Sequence, residues 1–306
     1  MIKKILILAG GFSNEREISL KTAKAVSIVL KNNNYKTKIV EPDGNFIFNL
    51  KKFKPSVVFN ALHGRYGEDG YIQTILEKEK VKYTHSGVIS SSLAIDKVLS
   101  KKLFIKNNIL TPDYLIFNFK EKIKKKKFIK KIERKLGFPV VIKPINEGSS
   151  VGVFICNKKN LFNKIFYLKD NKEIIIEKYI PGKEIQAAIM GDKKLGAIEL
   201  KPKRKFYDYK AKYDKKANTE HIMPAGISKK NYKKVMNISS KAHKLLKCRG
   251  TTRSDFRFYK NKFYLLELNT QPGMTSLSLV PEIAKYNNIS FFKLIEWMIR
   301  DASILR

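Results

Sequence analysis

In the first ninety residues short apolar runs alternate with helical patterns, and no other feature constrains the fold as strongly. "KILILAGG" (4–11) predicts a strand ending in a glycine turn, and "SLKTAKAVSIVLKNN" (19–33) a helix with apolar residues at 20, 23, 26, 29 and 30. "KTKIVEP" (36–42) and "SVVFNALHG" (56–64) read as strands, and "GYIQTILEKEK" (70–80) as another helix. A chain that returns through a helix after each strand lays its strands parallel and covers both faces of the sheet. The expected class is therefore α/β, beginning with a doubly wound parallel sheet. Gly10 and Gly11 do not spell GxGxxG, so a dinucleotide site is not supported.

Two further blocks follow. The second, from about Asp96 to Pro181, predicts a helix near 93–107, a lysine-rich helix within 120–135, and strands at 138–144, 151–156 and 173–180. The third begins near Gly182. It carries strands at 183–191 and 194–202, a polar loop at 203–220, a hairpin at 252–269 and a last helix at 291–302. With 306 residues there is room for two or three cores, and we expect domains at 1–95, 96–181 and 182–306.

The net charge of +36 invites a nucleic-acid reading. Only nine of the 63 basic residues are arginines, and Lys, Asn, Ile and Phe, all abundant here, are the products of A/T-rich codons. The lysines are spread from end to end, without the interleaved aromatics of a base-stacking platform. In the densest run Ile123, Phe128, Ile129 and Ile132 recur at helical intervals, as on a surface helix with one solvated face. No nucleic-acid partner is expected. The two cysteines, Cys156 and Cys248, make neither a disulfide framework nor a metal spacing. The apolar run Ile5–Ala9 is too short for a signal-peptide core, and no run approaches the roughly 20 residues that span a bilayer. A soluble, cytoplasmic protein with no membrane partner is expected.

Chemistry concentrates in five places. In "TRSDFRFYKNKFYLLELNTQPGMT" (252–275) a hairpin centred on Asn261 would set Asp255 opposite Glu267 and Arg253 opposite Asn269. Two carboxylates about 5 Å apart across a ladder repel. Asp255, Glu267 and Asn269 are hard oxygen ligands, and a divalent cation such as Mg²⁺ shared with nucleotide phosphates would remove the repulsion. "KPINEGSSVGV" (143–153) is a Gly/Ser loop between strands, whose N–H groups with Ser149 and Ser150 could line an anion. The residues alone leave that loop and a simple hairpin turn equally open. Glu15, in "GGFSNEREISL", could favour a helix N-terminus or hold an ammonium. His63 lies past a strand's C-terminal end, where α/β sheets bind ligands. "KFYDYKAKY" (205–213) is too irregular for core and suits a mobile lid.

Taken in order, "GGFSNEREISL", "ALHGRYGEDG", "SGVISSSLAIDK", "GFPVVIKPINEGSSVGV", "FYDYKAKY", "MPAG", "RSDF" and "LLELNTQPGMTSLSLVP" resemble the D-alanine–D-alanine ligases of the ATP-grasp superfamily. The resemblance spans roughly residues 3–300. It implies an ATP-grasp fold of three α/β domains, the last with an antiparallel sheet, in a usually dimeric enzyme. It also implies ATP and two D-alanines as substrates, with two Mg²⁺ ions (Mn²⁺ could substitute) on Asp255, Glu267 and Asn269. Lys97 and Lys143 would contact phosphates under the 147–152 loop, and Lys212 would reach the transferred phosphate. Glu177, Lys178 and Ile180 would meet the adenine and Glu184 the ribose. Glu15, with His63 nearby, would hold the first substrate's ammonium, and Glu15, Ser149 and Tyr213 would form the family's triad. Arg253 and the Gly273 N–H would stabilise the oxyanion, and Ser278 and Leu279 would grip the second substrate's carboxylate. Tyr213 favours an amine over D-lactate as acceptor. Gln271 departs from no fixed pattern, since that position varies in the family.

Overall fold

The computed structural model describes residues 3–121, 124–148, 151–202, 219–275 and 278–304. Strands β1 (Lys4–Leu8), β2 (Lys36–Val40) and β3 (Val57–Asn60) form a parallel sheet in the order β2-β1-β3. Helices α1 (Arg16–Lys31), α2 (Phe46–Phe53) and α3 (Tyr71–Lys78) connect them onward. Alternation along β1 explains the double winding. Ile5 and Ile7 pack with Ala23, Val26 and Leu30 of α1, while Leu6 and Leu8 pack with Phe46 and Leu50 of α2 and Ile72 and Leu76 of α3.

The helix expected at 93–107 is two helices, α4 (Val88–Ile95) and α5 (Lys97–Lys106). Asp96 takes an extended ψ of 103°, and its carboxylate accepts the N–H groups of Val98 and Leu99, both at 2.9 Å. This cap ends one helix and starts the next, because Asp competes for the N–H groups that helix continuation would otherwise use.

A second, wholly antiparallel sheet has the order β4-β7-β5-β6, from β4 (Tyr114–Asn118), β5 (Val140–Pro144), β6 (Phe154–Cys156) and β7 (Glu173–Lys178). Helices α6 (Lys125–Lys135) and α7 (Leu161–Tyr167) cover one face. Phe128 and Ile132 of α6 are buried against Val140, Ile142, Ile174 and Ile176, with Ile129 partly so; Ile123 lies outside the described residues. Alternation then turns Val141, Lys143, Ile175 and Glu177 to the opposite face.

The third sheet is antiparallel, ordered β10-β9-β8-β11-β12, from β8 (Lys183–Met190), β9 (Lys193–Lys201), β10 (Glu220–Ile222), β11 (Thr251–Tyr259) and β12 (Lys262–Asn269). Helix α8 (Lys229–Leu245) covers Ile185, Ala187, Phe256, Phe263 and Leu265, and α9 (Leu279–Tyr286) packs beneath β9. The last helix, α10 (Phe291–Asp301), puts Leu294, Ile295 and Met298 into one core with Ile5 and Ile7 of β1 and Leu195 and Ile198 of β9. The first and third sheets thus share a hydrophobic core, and Ser303 bridges to Tyr83.

The hairpin differs from expectation at its tip. Tyr259 pairs with Lys262, leaving a two-residue turn in which Lys260 and Asn261 have φ of 46° and 57°, values suited to a type I′ hairpin. From Tyr259 to Phe256 the strands run one residue out of the expected register, and a bulge between Asp255 and Phe256 restores it. Asp255 therefore pairs with Glu267 and Arg253 with Asn269, as the sequence predicts, because β12 carries an extra residue at Leu266.

Candidate active site

The face of the second sheet opposite α6 and α7 and the edge of the third enclose a cleft lined by Val141, Lys143, Val153, Lys178, Ile180, Glu184, Leu266 and Glu267, among others. Leu266 and Glu267 both line it although they are adjacent in a strand, a consequence of the bulge. Lys178 is exposed at its mouth, and Ile180 is buried in its wall. Glu184 lies 3.3 Å from Arg257, whose guanidinium also donates to the carbonyls of Ile180 and Gly182 and so braces this turn.

Cationic charge lies deeper. Asp96 caps α5 so that Lys97 and Lys101, one turn apart, face the cleft wall. Lys97 donates to the Glu147 carbonyl and lies 3.6 Å from Glu267. Lys143 is 3.0 Å from one Glu177 oxygen, and Lys101 is 2.9 Å from the other, as an ion pair off hydrogen-bond direction. Burial opposes charge on Lys143, but Glu177 and Glu267 outweigh it and raise its pKa. For Lys97 and Lys101 burial prevails and lowers the pKa against the pull of Glu267 and Glu177 respectively. Burial likewise opposes ionisation of Glu177, yet Lys101 and Lys143 hold its pKa below the usual range.

A second, polar pocket adjoins the first and shares Lys97, Glu147 and Glu267 with it. Glu15, His63, Glu68, Arg253, Asn269 and Gly273 complete it. Glu15 precedes α1, where its carbonyl accepts the N–H of Ile18 and Ser19. A Cβ at Gly64, where φ is +67°, or at Gly148 would meet its carboxylate at 3.0 or 2.9 Å, so the two glycines let the backbone at 64 and at 148 approach that group closely. His63 is held by Glu68 at 3.2 Å on Nδ1 and by Thr22 at 3.4 Å on Nε2. Burial alone would lower its pKa, but Glu68 and the nearby charge of Glu15 outweigh burial and raise it.

The expected metal residues share one face of the hairpin. Arg253 forks onto Asp255, at 2.7 Å from Nε and 2.9 Å from Nη2, and so neutralises the carboxylate opposite Glu267. Asn269 Oδ1 accepts the N–H of Gln271 at 2.7 Å. Two carboxylates and an amide oxygen beside three lysines suit a hard dication shared with phosphate oxygens, and Arg253 stands as the counter-charge. Ser278 accepts the Thr275 N–H at 2.9 Å, whereas the Leu279 side chain is in the core, leaving its backbone as the part available to a ligand. Ser149, Ser150, Lys212 and Tyr213 lie outside the described residues.

Sequence reasoning missed Lys101, Glu68, Arg257 and Gln271. Lys101 had one weak signal, its i,i+4 spacing from Lys97, which puts both on one side of the helix. Gln271 had none. It is 1 % exposed, accepts from Asn60 Nδ2 at 2.8 Å and donates to the Leu62 carbonyl, tying the loop after β12 to the end of β3.

Two antiparallel sheets closing on a lysine-lined cleft, beside a doubly wound domain with an acidic pocket, define an ATP-grasp enzyme. The family model "D-ala D-ala ligase C-terminus" matches residues 103–300. A D-alanine–D-alanine ligase of Pelagibacter ubique is 61 % identical over 306 residues, the whole of both chains. The Bacillus anthracis D-alanine–D-alanine ligase complexed with ATP superposes with a TM-score of 0.83 at 31 % identity, covering 98 % of this chain and 97 % of that one. The VanG D-Ala:D-Ser ligase of Enterococcus faecalis superposes with a TM-score of 0.81 at 27 % identity, over 98 % and 99 %. The chain belongs to the D-alanine–D-alanine ligase family.

Proposed function

We propose that the protein uses ATP to join two D-alanines into D-alanyl-D-alanine, a peptidoglycan precursor. The observation that carries the reading is the continuity of the two pockets. A nucleotide in the first would present its terminal phosphate at Lys97, Glu147 and Glu267, the residues shared with the pocket of Glu15 and His63.

Glu15 would hold the first D-alanine by its ammonium, and His63, charged below its raised pKa, would support that carboxylate-rich corner. The substrate carboxylate oxygen attacks the γ-phosphorus, the bond to the β–γ bridging oxygen breaks, and ADP leaves. Lys97 and Lys143 would hold the phosphates in line for this step, with Lys212 reaching the transferred group. Asp255, Glu267 and Asn269 would hold two Mg²⁺ ions (Mn²⁺ could replace them), which supply positive charge against the phosphates. The amine of the second D-alanine, its carboxylate gripped by Ser278 and the Leu279 backbone, attacks the acyl carbon and loses a proton. The tetrahedral oxyanion would be stabilised by Arg253 and the Gly273 N–H, and it collapses by expelling phosphate. Glu15, Ser149 and Tyr213 would position that second amine, and Ser150 would add a donor over the phosphates. Glu177, Lys178 and Ile180 would meet the adenine, and Glu184 the ribose.

The setting is the cytoplasm, where ATP is available, and the assembly is a homodimer. Among the described residues no helix is long and apolar enough to cross a membrane. The test is ADP release with MgATP and D-alanine, L-alanine, or D-alanine plus D-lactate or D-serine, with product masses read alongside. ADP with the mass of the dipeptide supports the reading. A mixed product made in preference to it would reassign the acceptor, and no turnover by folded protein would overturn the activity.

A further inference from the structure

Lys101 stands behind the nucleotide cleft and lines neither pocket. It is one of the largest fully buried side chains, at 0 % exposure, and a lysine ammonium is rarely taken so far from water without a purpose. Its partner is Glu177, 2 % exposed, whose other oxygen holds Lys143. The chain Lys101–Glu177–Lys143 runs from the helix α5 through β7 to β5, and its last two members line the cleft.

The sum of charge decides what this chain does. In this cluster Lys97, Lys101 and Lys143 carry +3 and Glu177 and Glu267 carry −2, a sum of +1, while the cleft's other charged residues, Lys178, Arg257, Glu147, Glu184 and Asp255, lie outside it. Without Lys101 the sum would be zero. Glu177 would then lean wholly on Lys143, drawing its ammonium and its charge away from the cleft. We propose that Lys101 is a positioning residue for nucleotide binding: by offsetting part of the Glu177 charge through an ion pair, it leaves more of the Lys143 charge for the ATP phosphates. The inference rests on the ATP-dependent reading of the cleft and adds a role for a residue that touches no substrate. It also gives the two lysines of α5 different tasks, Lys97 beside Glu267 at the ligand and Lys101 behind Glu177.

The test compares wild type, Lys101→Met, Lys143→Met and the double variant, reading ATP binding by calorimetry without D-alanine, steady-state KM values and thermal unfolding. Lys101→Met should weaken ATP binding about tenfold or more, the size of one lost charge-assisted contact, with the KM for D-alanine little changed. If Lys101 acts through Lys143, the double variant should bind ATP about as weakly as Lys143→Met alone. Wild-type ATP affinity in folded Lys101→Met would overturn the proposal, leaving Lys101 a purely structural ion-pair partner. So would a double variant as weak as the two single losses combined. Failure of wild-type protein to bind ATP at all is a separate result, and it would remove the reading of the cleft itself.

Discussion

Gln271→Met removes the polar end of a buried side chain while keeping its length, and the structure sets the size of the effect. Asn60 Nδ2 loses its 2.8 Å bond to Gln271 but keeps the Gly67 carbonyl at 3.1 Å, so that loss is about 1 kcal/mol. The Leu62 carbonyl loses the Gln271 donor at a buried position, and stranding such a group costs about 1–3 kcal/mol. The total is about 3 kcal/mol. For a chain of 306 residues the entropy of unfolding is about 0.6 kcal/mol/K, so the melting temperature should fall by about 5 °C. Function should follow the same geometry. Leu62 precedes His63, which lines the pocket of Glu15, so the KM for D-alanine should rise more than that for ATP. Calorimetry and ADP-release kinetics on the one variant read both effects. A melting temperature within about 1 °C of wild type with both KM values unchanged would refute the claim that Gln271 ties the loop after β12 to the end of β3.

Glu267→Gln should abolish ADP formation while leaving the circular dichroism spectrum intact; near-normal turnover would remove the metal assignment. His63 should titrate above its ordinary 6.5 in NMR spectra, and Glu68→Gln should bring it down. Because its folded pKa is raised, the stability it contributes is complete below the unfolded value and is lost as pH rises through the folded one, so the gap between wild type and Glu68→Gln should narrow in that direction. Gly64→Ala forces a side chain into φ +67° and against the Glu15 carboxylate. It should cost about 1–2 kcal/mol of stability and raise the KM for D-alanine, read by denaturant melts and initial rates.

Much of this was legible because local pattern carries it. The period of apolar residues sets the three strands and helices α1 and α3 of the first sheet, though not α2, and a two-residue alternation puts Glu267 and Asn269 on one face. The motif order, read as resemblance, carried the family. Even the facing of Asp255 and Glu267 came from counting along two strands, although the count assumed a symmetric turn and succeeded only because the bulge at Leu266 cancels the shift at the tip. A bulge leaves no trace in a hydrophobic pattern when the extra residue is itself apolar.

What the sequence determined by itself, then, is what depends on neighbours along the chain: strand, helix and the faces that must be buried. Tertiary structure decided which charges meet on those faces. Lys101 looks like one lysine among many until α5 docks behind β7 and removes it from water, at which point Glu177 becomes its necessary partner. Gln271 gains its role only when the loop after β12 reaches β3, two hundred residues earlier, and α10 joins the core of β1 across nearly the whole chain. Periodicity states that a face is buried; the identity of what covers it is fixed by packing and by the need to pair every buried polar group, neither of which is encoded in any single window of sequence.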